Sequence, residues 1–260
     1  MSPHVLASGY SPPSPSSFWH PLIGEGATAI TRPMFLMAFS VLLITALAFV
    51  VTRRMSLVPG SGQFVAEGIY TFVRNGVARD SLGSKEFLAF VPLLLTQFLL
   101  IFTNNLFGIV PVIQFPTFSR YGFALSVTLI VFVVYHVVGI RRKGLGGYFR
   151  GMVPSGLPKL VVPVIFLLEL LTYFVTRPLT LSLRLFANMF AGHILLLVFF
   201  LGGTYMLVEA DGLLINVASV GAFLMGIVFT GFELLIYFLQ AYVFVLLSAS
   251  YIATSIADDH

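Results

Sequence analysis

Glu169, Arg177, Arg184, His193 and Glu233 stand inside two long apolar stretches, Leu160 to Gly202 and Leu213 to Ala257, accompanied by Asn188 and Gln240. Inserting an ionisable group into such surroundings costs at least about 2.5–3.5 kcal/mol, so each is a functional candidate by default. Arg184 is flanked by Leu181, Leu183, Leu185 and Phe186, far from either end of its stretch. Snorkelling does not easily rescue it from there. A guanidinium keeps its proton at any biological pH, so Arg184 suits a fixed positive charge that faces a mobile anion. It can gate a proton path but cannot relay protons. The structural alternative is an arginine paired with a carboxylate to lock two helices together. On a helix, Asn188 falls one turn after Arg184 and Arg177 two turns before it, which puts all three on one face.

His193 titrates near neutral pH when unperturbed and can relay protons. Beside Gly192 it equally suits a hydrogen bond between helices. Glu233 and Gln240 are seven residues apart and share a face of the last helix. Glu169 precedes Arg184 by about four turns. Elsewhere His136 and the Asn104-Asn105 pair are the polar exceptions, both near span ends.

The elements that must position these groups follow from composition. Only 9% of the 260 residues are charged, 58% are hydrophobic, and phenylalanine occurs 27 times. A soluble core cannot hide that much apolar surface, so lipid is the solvent for most of the chain. The expected fold is all-α, a polytopic membrane bundle of about five spans over 34–51, 87–113, 121–140, 160–202 and 213–257. The last two exceed forty residues each, about 65 Å if helical and twice what a bilayer requires. No Gly-Pro or Asn-Gly pair forces a hairpin inside either one, and Pro163 and Pro178 kink without turning. They are expected as two long tilted helices forming a C-terminal hairpin. Phe64, Val65, Ile69, Phe72, Val73 and Val77 recur against Glu67, Arg74 and Arg79, which predicts an interfacial amphipathic helix over about 63–79.

Residues 1–33 are expected as an extracytoplasmic tail, extended over Ser11 to Ser17, without a cleavable signal, and 34–260 as one transmembrane domain. Two loops hold Arg53, Arg54, Arg74, Arg79 and Lys85, and Arg141, Arg142, Lys143, Arg150 and Lys159. The other side has only Arg32 and Arg120, with Glu209 and Asp211. That asymmetry puts the basic loops and the C-terminus in the cytoplasm and the N-terminus outside. His193 then lies on the outer side of Arg184 and Glu169 on the inner side, two half-paths separated by a fixed cation. With no cysteine, thiolate metal sites and disulfides are excluded. No basic patch interleaved with aromatics suggests nucleic acid. No Gly-x-x-x-x-Gly-Lys-Ser/Thr, His-Glu-x-x-His or Gly-x-Ser-x-Gly pattern suggests nucleotide binding or an intramembrane enzyme. No internal repeat favours a repeat-built transporter. A secondary transporter or self-contained ion channel is the alternative reading.

The run from Arg177 to His193, Arg-Pro-Leu-Thr-Leu-Ser-Leu-Arg-Leu-Phe-Ala-Asn-Met-Phe-Ala-Gly-His, resembles the signature segment of the subunit a family of F-type ATP synthases. Asn105 to Pro111 is similar to the family's Asn-Leu-x-Gly-x-x-Pro stretch, and Leu239 to Phe244 to its last-helix Gln-Ala-aromatic motif. The resemblance runs from about Gln63 to the C-terminus. It implies that Arg184 meets the ion-binding carboxylate of a rotating c-ring, flanked by Asn188 and Gln240. His193 and Glu233 would line the outer half-channel and Glu169 the inner one, with Arg177 and Asn105 as supporting residues. Many bacterial members carry an acid where this chain has His193 and a histidine where it has Glu233; here the pair is exchanged. The implied partners are the c-ring, b-type peripheral stalk subunits, other ATP synthase subunits and lipid. No cofactor and no catalysis by this chain are expected.

Overall fold

The computed structural model describes residues 21–23, 30–53, 55–84, 86–110, 113, 115–153, 158, 160–208 and 212–257. The tail at Ser11 to Ser17, Pro111 of the Asn-Leu-x-Gly-x-x-Pro stretch, Glu209, Asp211 and the Asp258-Asp259-His260 end lie outside them. Among the described residues, five helices are long and apolar enough to cross a membrane: Arg32–Arg53, Phe87–Leu106, Tyr121–Arg150, Val162–Val208 and Leu213–Ile256. The expected all-α bundle with a long C-terminal hairpin is what the chain forms. A short antiparallel ribbon, β1 (Pro21–Ile23) with β2 (Ile30–Thr31), leads into the first helix.

Helix α1 (Arg32–Arg53) buries only Pro33, Leu36 and Ser40. Its polar tie is Asn104 of α4 (Phe87–Leu106), whose Nδ2 donates to Ser40 Oγ at 2.8 Å. In lipid, where apolar surface gains nothing from meeting apolar surface, such bonds and close packing hold helices together. The helix α2 (Ser61–Val73) continues through a π-helical segment, Arg74–Arg79, into the short α3 (Asp80–Leu82). The expected amphipathic helix is therefore present, but its two halves differ. Phe64 and Val65 are exposed, whereas Val73 and Val77 are fully buried. Phe72 packs on Phe98 of α4 and on Phe238 and Tyr242 of the last helix, with centroids 5.6–5.8 Å apart.

Three boundaries differ from expectation, one of them the end of the fourth span, at Val208 rather than at residue 202. The second span stops at Leu106 rather than at residue 113, because Gly108 N–H turns back to the Asn105 carbonyl at 2.9 Å. Hydropathy sees the apolar residues beyond but not the turn. The third span, α5 (Tyr121–Arg150), runs past the Arg141-Arg142-Lys143 cluster and kinks at Gly144, with φ 71° and ψ 166°. Charge marks where a helix leaves lipid and does not end it; the left-handed φ, which glycine adopts freely, makes the bend. The bend folds Tyr148 back on Gly139, where an added Cβ would lie 2.5 Å from the ring.

The fourth span is compound. Helix α6 (Val162–Leu171) carries Pro163 in its first turn, passes through a π-helical segment (Thr172–Thr176), and continues as α7 (Arg177–Val208). Helix α8 (Leu213–Ile256) returns antiparallel along α7 and crosses α4 and α5. The core sits at that crossing, around Leu94, Ile101, Val131, Leu185, Met189, Tyr237, Phe244 and Ile252. Small residues bring the two arms together: Ser219 Oγ donates to the Gly203 carbonyl at 2.8 Å, and Phe200 lies over Gly226.

Candidate functional site

The antiparallel register of α7 and α8 sets polar groups opposite one another. Asn188 Nδ2 donates to Gln240 Oε1 at 2.7 Å. One turn further along α7, Gly192 faces Glu233, and a Cβ built on Gly192 would run into Glu233 Oε1. The carboxylate thus rests against the backbone that leads into His193. Glu233 is 3% exposed and His193 7% exposed, so both lie inside the hairpin. The structure therefore brings Asn188 to Gln240 and sets Glu233 against Gly192, while His193 is buried one residue further along α7.

Arg184 lies elsewhere on the same helix. It is exposed, among the exposed Leu183, Ala187 and Asn188, and it meets no carboxylate among the described residues. An arginine that locks two helices by an ion pair is not what this geometry holds. Arg177 shares its helical face, as the spacing requires, but its surroundings differ. Its guanidinium lies 3.6 Å above the Tyr173 ring and 4.9 Å from that of Tyr251. Cation–π contact holds it at the start of α7 beside the end of α8, away from the Asn188–Gln240 pair. Glu169, on α6, is half-buried and is not brought to either group.

Asn105 reaches the hairpin through its backbone, donating from Nδ2 to the Tyr237 carbonyl at 3.4 Å. Gly108 approaches the same residue, since an added Cβ there would sit 2.8 Å from Tyr237 Oη. Tyr237 is a neighbour of Glu233 that the spacing of the candidate residues does not single out. It is fully buried, and its hydroxyl donates to Glu233 Oε2 at 3.0 Å. A signal was present: tyrosine four residues after a buried acid falls on the same helical face. The Asn-Leu-x-Gly stretch thus packs on Tyr237, which in turn holds Glu233.

The crowding at Gly192 makes a direct prediction. Gly192→Ala must displace Glu233, because the added methyl group would meet its buried carboxylate. Overpacking of this kind costs about 1–3 kcal/mol. On the function that the resemblance implies, proton-driven ATP synthesis in vesicles should fall, while Gly221→Ala, where nothing lies within 4 Å of the added Cβ, should not alter it. Equal rates in the two variants would show that Glu233 has no required position.

These features define a polytopic helical membrane protein in which the polar side chains of the last two helices form one seam, buried at Glu233 and open at Arg184. The family model for the ATP synthase A chain matches residues 34–253. Subunit a of ATP synthase from a Nocardioides species is 42% identical over 266 residues, covering 97% of this chain and 95% of that relative. The Streptomyces lividans subunit a is 38% identical, with 97% and 90% covered. That of Rhodococcus erythropolis is 35% identical, with 98% and 94% covered. The chain belongs to the ATP synthase subunit a family.

Proposed function

We propose that this chain is the stator subunit that carries protons through the membrane sector of an F-type ATP synthase, along two half-paths separated by Arg184. Family membership supports the coarser role, proton translocation in that sector. One observation carries the finer reading: exposure changes along the α7–α8 seam. Glu233 and His193 are buried between the arms, Arg184 is open on the lateral face, and the Asn188–Gln240 pair stands between them in the register. A group that passes protons needs shelter from lipid, whereas a group that meets a moving partner needs an open face.

In this reading a proton enters from outside by His193 and Glu233 and emerges beside Arg184, where it neutralises a carboxylate on a rotating ring of small hairpin subunits. The neutral carboxyl turns through lipid, which would exclude its charged form. After nearly a full turn it meets the inner half-path, and the proton leaves past Glu169. The guanidinium of Arg184 attracts the ionised carboxylate and blocks direct passage. Each charge gains about 2.3 kcal/mol per 100 mV crossed, so several crossings drive each ATP made elsewhere in the complex. The chain itself is non-catalytic, and its other partners are b-type peripheral stalk subunits.

The test is reconstitution. The chain alone in liposomes should pass no protons under an imposed potential, and the complex with its ring should acidify vesicles on ATP addition. Conduction by the lone chain would favour the self-contained channel. Orientation is tested separately: a reporter fused after His260 should stay cytoplasmic and one fused before Met1 should be exported. Both ends on one side would mean an even number of spans and break the order of the half-paths.

A further inference from the structure

The hydrogen-bond ladder slips by one residue where α6 joins α7. Arg177 N–H bonds the Thr172 carbonyl, five residues back. In a regular α-helix it would bond the carbonyl of Tyr173. The other residue positioned to serve Tyr173, through a five-residue step, is Pro178, which has no N–H. The Tyr173 carbonyl has thus lost both backbone donors. Tyr135 of α5 replaces them: it is 1% exposed, and its hydroxyl donates to that carbonyl at 2.6 Å. The ring of the same Tyr173 carries the Arg177 guanidinium.

We infer that Tyr135 is a positioning residue for the arginine-bearing helix, its hydroxyl closing the backbone gap left by Pro178 and so holding the π-helical slip between Glu169 and Arg184. Two registers compete at this joint. In the observed one, Thr172 is served by the backbone and Tyr173 by Tyr135. In the other, Arg177 N–H returns to Tyr173, and α6 turns relative to α7 by about one residue, or roughly 100°. A phenol on a neighbouring helix selects the first, because an unserved carbonyl in a buried apolar place is costly. Slips of this kind recur at functional sites, where they re-aim side chains. Here the slip sets which way Glu169 faces relative to Arg184.

The transport readout rests on the function proposed above, so the experiment separates the two. In vesicles bearing the complete complex, Tyr135→Phe should lower ATP-driven pumping roughly three- to tenfold at matched abundance. In a Pro178→Ala background the backbone regains an N–H, and the hydroxyl has nothing left to supply. There Tyr135→Phe should change the rate by less than about twofold. The same loss in both backgrounds, or no loss in the native one, overturns the inference. If Pro178→Ala prevents assembly, spin-label distances between Leu167→Cys and Leu179→Cys, both at exposed positions of a cysteine-free chain, decide it. Tyr135→Phe should shift or broaden that distance, and an unchanged distance rejects the latch. Arg184→Ala serves as the control for the function. A failed latch leaves that variant inactive, whereas a failed function leaves both variants pumping normally.

Discussion

Arg184→Ala is expected to abolish ATP-driven proton pumping in inverted vesicles and to open a passive leak. The guanidinium is the exposed cation of the seam, beside the Asn188–Gln240 pair, and its charge is permanent. On the proposed function, its loss leaves nothing to hold the ring carboxylate ionised at the junction of the half-paths and nothing to block a proton from stepping between them. Both losses share one origin, so they should appear together. Arg184→Lys keeps a charge but loses the forked donors and should be severely impaired. Pumping is read as fluorescence quenching at matched complex abundance, and leak as decay of an imposed gradient. Normal coupled pumping in Arg184→Ala vesicles would remove the barrier role.

The second large effect concerns His193 and Glu233. Glu233 rests against Gly192, so exchanging the two side chains tests whether one acid and one base act as a unit. Glu233→His puts two potential cations together, and His193→Glu crowds two acids; each should slow proton-driven synthesis. The double exchange restores one of each with positions swapped and should recover part of the rate. A coupling of about 1–2 kcal/mol, or roughly five- to thirtyfold, is expected of two groups that serve one path. Tyr237 limits the recovery, because its hydroxyl is placed for a carboxylate at position 233. A double variant as slow as the product of the two single losses would mean that the residues work independently.

The spans and the long hairpin were legible in the sequence because hydropathy depends on residue type alone. The alternation of apolar runs with arginine and lysine is a one-dimensional property. Contact between α7 and α8 is not. Glu233 and Gly192 are 41 residues apart, and only the register fixed by Gly203, Ser219, Gly226 and Phe200 sets them face to face. Tyr237 was overlooked because tyrosine reads as another apolar aromatic until its hydroxyl finds Glu233. The slip at Thr172–Thr176 had a visible cause in Pro178, yet proline signals only a kink. The donor that makes the slip tolerable comes from Tyr135, 38 positions earlier. The bend at Gly144 was hidden by the charges before it, which mark an interface and say nothing about φ.

The uninterrupted helix α8 has an electrical consequence. Its 44 residues measure about 66 Å. To lie within a hydrocarbon layer of about 30 Å, it has to tilt by roughly 60° from the normal. Each residue then advances only about 0.7 Å in depth, half of the usual 1.5 Å. Glu233 and Gln240 differ by about 5 Å along the membrane normal but by about 9 Å in its plane. A proton moving between their levels crosses about a sixth of the layer and gains roughly 0.4 kcal/mol per 100 mV. The seam is close to isopotential. In the proposed reading with two half-paths, most of the electrical work is done on protons in the approaches from the two surfaces, and the step past Arg184 is mainly sideways.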